Sequence, residues 1–453
     1  MVLIPENKIK REVRVKKIIV VMLALFLAIP AITYAGSATS KYDVTIGGYV
    51  KFDMGWSNQN NGQDYYTASR ESMPGNRSRI NEYNNLYFYS GETRLNLLVK
   101  GPDAWGAKTG AFIEGDFRGS SIGANAGVFE LRHAFMTFDW ARDQLLIGQT
   151  WNEWGMIFSG HVLGFNELTD VGKGARQPHV RWTHKFNKSF SGFLGIYSEY
   201  NTLNGTSTAS AHNDSARSMM PHFMGEFKWQ TDSCGKIGPW NTQLALGGFY
   251  GQEKVSYRNY NNTDWNDEKS NVWMMALKGY LPIIPENKGN KAGAFAVTGA
   301  IFYGQLPTNA VYLTANVNPY TTGNAGIGVT QFAAKTYGGW GGLTYYFTDA
   351  LSINGIFSTR SNNFTTQPSG VVLAGGTASV STNQMYLVNL MWDVNPAIRL
   401  GLEYSRYVTG YGGYALNSAA DAGAGGNWSN VAGSLQDSGG KSDNVRIGAY
   451  YFF

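Results

Sequence analysis

Cysteine is nearly absent from this chain: of its 453 residues only Cys234 carries a thiol. A single thiol excludes an internal disulfide, a metal site built from cysteines and a covalently attached c-type haem. The six histidines show no metal-ligand spacing on a helix, and His179 and His184 face opposite sides of any strand because they are five residues apart. We therefore expect no cofactor and no metal.

Long apolar runs are also lacking, except at the N-terminus. Lys8–Lys17 is basic, Ile18–Ile32 is apolar, and Thr33-Tyr34-Ala35 fits a cleavage site. The apolar run is too short for a membrane-spanning helix, which needs about 20 residues. Residues 1–35 are predicted to be a cleaved signal peptide, leaving residues 36–453 as one barrel domain, and a helical membrane protein is excluded.

The predicted mature chain has no excess of charge of one sign. Without the six Lys or Arg and the two Glu of residues 1–35, 31 basic and 30 acidic residues remain, a net charge of +1. Binding to a polyanion requires a basic field. We therefore expect no nucleic-acid partner.

What the chain does have is alternation with a period of two residues. In the first predicted strand, even-numbered residues from Val44 to Trp56 face one way, while Lys51 and Asp53 face the other. In the second, Tyr87, Tyr89, Leu95 and Leu97 are placed on the apolar side, opposite Glu92 and Arg94. The 56 glycines, few prolines and 14 % aromatic residues suit a strand-rich chain.

The connections alternate between short and long. Short turns are predicted at 101–106, 141–144, 187–189, 231–239, 283–290, 348–350 and 394–397, and loops near 57–84, 119–127, 152–178, 201–217, 253–271, 305–331, 361–383 and 409–440. Seven turns and eight loops join sixteen strands, so the predicted fold is all-β, a transmembrane antiparallel barrel of the outer-membrane type. Strands near 270–282, 291–305 and 332–347 alternate poorly, which leaves fourteen or eighteen strands open.

The last strand runs to the end of the chain. Val445, Ile447, Ala449, Tyr451 and Phe453 alternate with polar or small residues, an ending similar to the signal by which outer-membrane barrels are recognised for insertion. The signal residues are Gly448, Tyr451 and Phe453. We therefore expect the partners to be outer-membrane lipid and the barrel-assembly machinery. The expected location is the outer membrane of a Gram-negative bacterium. Tryptophans fit interfacial girdles: Trp105, Trp140, Trp182, Trp240 and Trp392.

The predicted inward side of the barrel is charged, and sixteen strands leave an aqueous channel. The pore-lining candidates are Arg94, Lys108, Arg118, Glu130, Arg132 and Arg181. Charges of this kind need water or a partner, so the prediction is a porin for passive diffusion of ions and small hydrophilic solutes. A slight excess of basic over acidic inward residues favours anions weakly. Alternatively, many of these charges pair across strands and only hold the wall together.

The connection 152–178 is the third long loop, the position at which porins fold a loop into the lumen. It carries Glu153, Glu167 and Asp170, which we expect to constrict the pore opposite Arg94, Arg118 and Arg132. Replacement of Glu167 and Asp170 with neutral residues is expected to shift ion selectivity. The alternative is a surface loop with no role in the pore.

Several segments together resemble one known family. They are Gly47-Gly48-Tyr49-Val50-Lys51, Gly91-Glu92-Thr93-Arg94-Leu95-Asn96, Ile113-Glu114-Gly115-Asp116-Phe117, Leu131-Arg132-His133-Ala134 and Ile147-Gly148-Gln149-Thr150-Trp151. This series resembles the DcaP-like porins, which implies a homotrimer of 16-stranded barrels that takes up small, often anionic organic molecules. Two features depart from the family: its periplasmic coiled-coil extension is absent, and the second loop, Gly119–Gly127, is short for latching onto a neighbouring subunit.

Other functions are weaker candidates. Gly119-Ser120-Ser121-Ile122-Gly123 matches a hydrolase motif that requires a strand-to-helix elbow, whereas here it falls in a hairpin loop. We therefore do not expect an enzyme. A barrel that serves as a scaffold for a partner, for example in extracellular electron transfer, remains an alternative, although the chain has no haem-binding motif of its own.

Overall fold

The computed structural model describes residues 42–59, 68, 84–119, 127–152, 162–164, 176–197, 218–258, 265–305, 335–363, 379–412 and 439–453. The predicted signal peptide lies outside these residues. Among the described residues there is no helix long and apolar enough to cross a membrane. Their regular structure consists of strands: β1 Asp43–Ser57, β2 Asn85–Tyr89, β3 Arg94–Lys100, β4 Lys108–Gly119, β5 Val128–Asp139, β6 Asp143–Trp151, β7 Arg176–Lys185, β8 Phe190–Tyr197, β9 His222–Ile237, β10 Trp240–Arg258, β11 Trp265–Ile284, β12 Phe295–Gln305, β13 Lys335–Tyr346, β14 Leu351–Asn363, β15 Ser379–Asn395, β16 Ile398–Gly412 and β17 Gly439–Phe452.

These strands form a closed antiparallel barrel. Each strand from β3 to β17 pairs with the next, and β1 closes the ring against β17, with Val50 opposite Tyr451 and Met54 opposite Ile447. Both β2 and β3 pair with β1, so the two segments together occupy one strand position of the barrel. We call each such strand position a stave. The seventeen segments therefore make sixteen staves, and the predicted strand count is confirmed.

The alternation of short and long connections is also found, although two predicted boundaries are wrong. β9 continues to Ile237 and turns into β10 within two residues, where a turn from 231 to 239 was expected. β10 and β11 remain paired as far as Arg258 and Trp265, where a loop from 253 to 271 was expected. In both places the hydrogen-bonded ladder continues through residues of mixed polarity. The alternation of apolar and polar residues therefore stops before the strand ends.

The second stave is interrupted, and the interruption reverses its alternation. The N–H of Thr93 donates to the carbonyl of Ser90 in a turn between β2 and β3. Leu86 and Phe88 are about 60 % exposed on the outside, so Tyr87 and Tyr89, which we expected to face outwards, lie on the inside. An irregularity shifts the side-chain phase of a strand as a bulge does, and the assignment of those two tyrosines was wrong.

The outside of the barrel is apolar. Exposed leucine, isoleucine, phenylalanine and tyrosine side chains alternate with buried neighbours along the strands. Of the five tryptophans assigned to the girdle, Trp105, Trp182, Trp240 and Trp392 are exposed near the short turns. The Trp140 indole N–H donates to the carbonyl of Trp105 at 3.0 Å. An apolar surface bordered by tryptophans is suited to the hydrocarbon core of a membrane and the membrane–water interface beside it.

The inside has two unlike arcs. The charged arc consists of inward ionisable residues on β1, β3 to β5, β7, β16 and β17 and in the turn between β2 and β3: Lys51, Asp53, Glu92, Arg94, Glu114, Asp116, Arg118, Glu130, Arg132, Arg176, Arg181, Glu403 and Arg446. The apolar arc consists of buried wall residues on β8 to β16: Phe193, Tyr197, Met224, Phe249, Val272, Met274, Ala276, Ala300, Phe302, Trp340, Ile356, Met385, Leu387 and Tyr407. The strands that alternated poorly belong to the apolar arc, where apolar residues such as Met274, Ala300 and Trp340 also face inwards.

Candidate functional site

Lys51 is the centre of the charged arc beside the closing seam of the barrel. Its ammonium forms ion pairs with Asp53, at 2.9 Å, and with Glu92. Arg118 approaches the other oxygen of Glu92 at 3.6 Å. Because Glu92 belongs to the turn that interrupts the second stave, the irregular backbone there brings a carboxylate to Lys51. Lys51, Asp53 and Glu92 are buried, so each of these charges depends on its counter-ions.

A second cluster surrounds Arg132 on β5. Its guanidinium donates to Glu114 on β4 at 2.9 Å and to Asp116 at 2.5 Å. Arg94 also approaches Glu114, at 3.5 Å, and lies over the ring of Tyr49 at 5.3 Å. The structure thus brings Arg94, Arg118 and Arg132 to one side of the barrel and pairs each with a carboxylate of the wall.

The other pore-lining candidates occupy three different places. Arg176 donates to Glu130 at 3.0 Å where β5 and β7 approach the third loop. Arg181 lies over the ring of Phe193 at 5.4 Å, where the two arcs meet. Lys108 pairs with Asp103 in the β3–β4 turn, and its side chain is 80 % exposed. Lys108 therefore sits at the rim and is not part of either cluster.

Leu163 of the third loop contacts the charged arc through its main chain. Lys51 donates to the Leu163 carbonyl at 2.6 Å, and the Tyr450 hydroxyl donates to the same oxygen at 3.1 Å. The Leu163 N–H donates to Glu403 at 2.8 Å, and Asn389 donates to the same carboxylate oxygen. Three staves, β1, β16 and β17, thus hold one residue of the loop.

Two glycines make room for the Leu163 side chain. A Cβ at Gly401 would lie 2.5 Å from Leu163 Cδ2, and a Cβ at Gly448 would lie 3.1 Å from the same atom. Leu163 itself is buried, with 1 % of its surface exposed. We call the set formed by Lys51, Glu403, Tyr450, Gly401 and Gly448 the loop socket.

The loop socket is the part of the site that the sequence did not reveal. Lys51 was expected to face inwards, but it was not linked to the third loop. The expected loop carboxylates Glu153, Glu167 and Asp170 lie outside the described residues.

The C-terminal signal residues divide between the two faces of the wall. Tyr451 and Phe453 are exposed on the outer face. Gly448 faces inwards and lies under Leu163. Within the described part of the chain no group of three His, Cys, Asp or Glu side chains is arranged to hold a metal ion.

Comparison with known proteins identifies the fold. No protein-family model matches the chain, and no curated protein matches it either. Among solved structures it is similar to the outer membrane channel DcaP of Acinetobacter baumannii, with 18 % identity, a TM-score of 0.65 and coverage of 93 % of this chain and 100 % of that one. It is also similar to an anion-selective porin from Comamonas acidovorans, with 10 % identity, a TM-score of 0.51 and coverage of 91 % and 100 %. The chain therefore has the fold of outer-membrane porins.

Proposed function

We propose that this protein is an outer-membrane channel for passive diffusion of ions and small hydrophilic solutes. The observation that carries the proposal is the charged arc, enclosed in an outer surface of exposed apolar side chains. Sixteen staves make a barrel of the size that encloses an aqueous channel rather than only packed side chains. Buried ion pairs such as Lys51 with Glu92 keep their charge through their counter-ions and form part of the charged wall.

The third loop is the proposed constriction. The contacts of Leu163 with Lys51, Glu403 and Tyr450 tie this part of the loop to the inner wall, on staves distant in sequence from β6 and β7, where the loop begins and ends. We propose that the rest of this loop crosses part of the lumen and narrows it. The proposal includes Glu167 and Asp170 as the acidic side of that constriction.

A weak preference for anions is part of the proposal. The arginines of the charged arc pair with wall carboxylates, so the local field is partly compensated and any selectivity is small. The anion-selective porin that shares this fold supports the direction of the preference. A homotrimer is proposed from the resemblance to the DcaP-like porins.

The test is reconstitution of the purified mature protein in a planar bilayer. We expect conductance steps in groups of three and a reversal potential, in a salt gradient, that shows a slight preference for anions. Absence of ion current from a correctly folded, heat-modifiable barrel would contradict the channel and favour a partner-filled scaffold or an outer-membrane enzyme. Single steps would contradict only the trimer.

The acidic side of the constriction has its own test. The double variant Glu167→Gln and Asp170→Asn is expected to move the reversal potential further toward anion preference, because two negative charges leave the pore. An unchanged reversal potential in a variant of normal conductance would remove these residues from the constriction.

A further inference from the structure

The outer face of the barrel has a row of glycines across three neighbouring staves. Gly279 on β11 lies opposite Gly299 on β12, and Gly299 lies opposite Gly341 on β13. All three belong to the outer face, because residues two positions away on the same strands, such as Leu277 and Ile301, are exposed there. This row of the outer face therefore has no side chains.

Apolar side chains surround the glycine row and make it a groove. The groove has a volume of about 480 Å³, and Gly279 and Gly299 lie in its floor. The apolar side chains that line it on the outer face are Trp229, Leu244, Leu277, Leu281, Val297 and Ile301. Lys278 also borders the groove, but it points inwards and pairs with Glu226 at 2.7 Å. Small-molecule sites typically measure about 300–1,000 Å³ and are lined mainly by apolar groups.

The packing of the wall does not require two of the three glycines. A Cβ at Gly279 would meet only ordinary contacts at 3.4 Å or more, and a Cβ at Gly341 would meet nothing within 4 Å. Of the three, Gly299 is required by the backbone, since a Cβ there would lie 2.4 Å from the carbonyl oxygen of Trp340. Larger residues at 279 and 341 would fit the sheet and fill the groove. The groove is therefore not a by-product of strand packing.

The groove extends through one half of the membrane. One end is close to the short turns, because Val297 is two residues into β12 and Trp229 lies opposite Phe190, the first residue of β8. Gly279 is five residues from the end of β11 at Ile284, about 16 Å along the strand at about 3.3 Å per residue. Strands tilted by about 40° in an apolar band about 25 Å tall place it near the middle of that band. Short turns of such barrels are periplasmic.

We propose that the groove binds one acyl chain of a diacyl phospholipid from the periplasmic leaflet. The groove is continuous with the apolar outer surface, which contacts lipid in the outer membrane, and it has the direction and length of a chain in one leaflet. No hydrophobic driving force acts between protein and lipid tails, so retention depends on close packing. A groove offers a chain contacts on more sides than a flat wall does.

The turns at the same end offer charges for the headgroup. Lys236 and Lys288 are exposed there and complement a phosphate group. Glu286, which lies between them in the turn, accepts a hydrogen bond from the Gly238 N–H. This proposal does not rest on the diffusion function; it requires only that the barrel lies in the outer membrane.

Native mass spectrometry tests the site with palmitoyl-oleoyl-phosphatidylethanolamine as the probe. The full-length mature protein is refolded in detergent without cellular lipid, and the phospholipid is added alone or mixed with lipopolysaccharide. We expect one phospholipid per chain to remain bound at collision energies that remove all further lipid. Gly279→Leu is expected to lose this retained phospholipid, because the new side chain occupies the groove.

Gly355→Leu is the matched control. Gly355 faces outwards on β14 opposite Leu343, it lies outside the groove, and a Cβ there has nothing within 4 Å. This variant is expected to retain the phospholipid. Heat-modifiable migration shows that both variants are folded. In vesicles, a phospholipid with a photoreactive acyl chain is expected to cross-link to β10, β11 and β12, and Gly279→Leu is expected to reduce this cross-linking.

The outcomes separate this site from other occupants and from the channel. Equal retention by the wild type and Gly279→Leu, or no retained phospholipid in the wild type, would overturn the acyl-chain site. Retention of lipopolysaccharide in place of phospholipid would overturn the assignment to the periplasmic leaflet. Loss of oligomers in Gly279→Leu without retained lipid in the wild type would assign the groove to a second copy of the chain. Absence of ion current from folded, lipid-retaining protein would overturn the channel and leave the site intact.

Discussion

At the scale of single residues, Leu163 and the two glycines beneath it are the most informative feature of the lumen. Gly401 lies on β16, and a Cβ there would lie 2.5 Å from Leu163 Cδ2 and 3.0 Å from Met391 Sδ. Neither neighbour can stay in place if a larger residue is introduced. The position therefore reports directly on whether Leu163 occupies the socket.

We predict that Gly401→Val lowers single-channel conductance. The added side chain pushes Leu163 toward the lumen axis, and crowding of this kind costs about 1–3 kcal/mol of stability. Gly342→Val is the matched control, because Gly342 also faces inwards and a Cβ there would meet only ordinary contacts at 3.4 Å or more. Equal conductance of the two variants in planar bilayers would mean that Leu163 does not sit over Gly401 in the membrane.

At the scale of elements, the tight turn between β9 and β10 depends on one residue. Gly238 has a φ of +57°, and its N–H donates to the carboxylate of Glu286 at 2.6 Å. An added Cβ would meet nothing within 4 Å, so the only cost of a larger residue is the backbone conformation. Left-handed backbone costs roughly 1–2 kcal/mol for residues with a Cβ.

Gly238→Ala is therefore expected to lower the free energy of unfolding by about 1 kcal/mol, as measured by urea titration of the refolded barrel in vesicles. Gly238→Asn serves as the control and is expected to lose less, because asparagine tolerates this conformation better. A larger loss for asparagine than for alanine would show that the turn adopts another geometry in the membrane.

The elements also show how far the sequence could be interpreted. Alternation predicted sixteen strands and the charged arc because Lys51, Asp53 and Arg132 interrupt runs of apolar residues at period two. It failed at Tyr87, since a turn of four residues within a strand changes the phase without changing composition. It was weak from 265 to 346 because Met274 and Met275 are both apolar although they face opposite sides.

The loop socket could not be predicted, for a different reason. Contacts between Leu163 and Glu403 join residues 240 positions apart and use main-chain atoms. No periodic pattern carries that information. The contact of Gly448 with Leu163 could not be predicted either, because the C-terminal signal already accounts for a glycine at this position.

At the scale of the whole molecule, the ring is defined by the register between its first and last staves. Met54 lies opposite Ile447, whereas Val445 lies opposite Trp56. Directly opposed residues in an antiparallel pair are about 4.5–5.5 Å apart at Cα. A disulfide spans about 4.4–6.8 Å, while diagonal neighbours at about 7–8 Å are too far apart.

In a Cys234→Ser background, Met54→Cys with Ile447→Cys is therefore expected to form a disulfide on oxidation of the inserted protein. The readout is a mobility shift on denaturing gels that reductant reverses. Met54→Cys with Val445→Cys, on the same face but out of register, is expected to remain reduced. Cross-linking of the second pair in preference to the first would place the seam in a different register.

The loop socket also bears on the order of events in biogenesis. It contains Lys51 from the first stave and Tyr450 from the last. The residues that bind Leu163 are therefore brought together only when the first and last strands pair. In a partly inserted chain the third loop is present, but Lys51 and Tyr450 are not yet close enough to bind it. If the third loop is the constriction proposed above, the channel is narrowed only when the wall is complete.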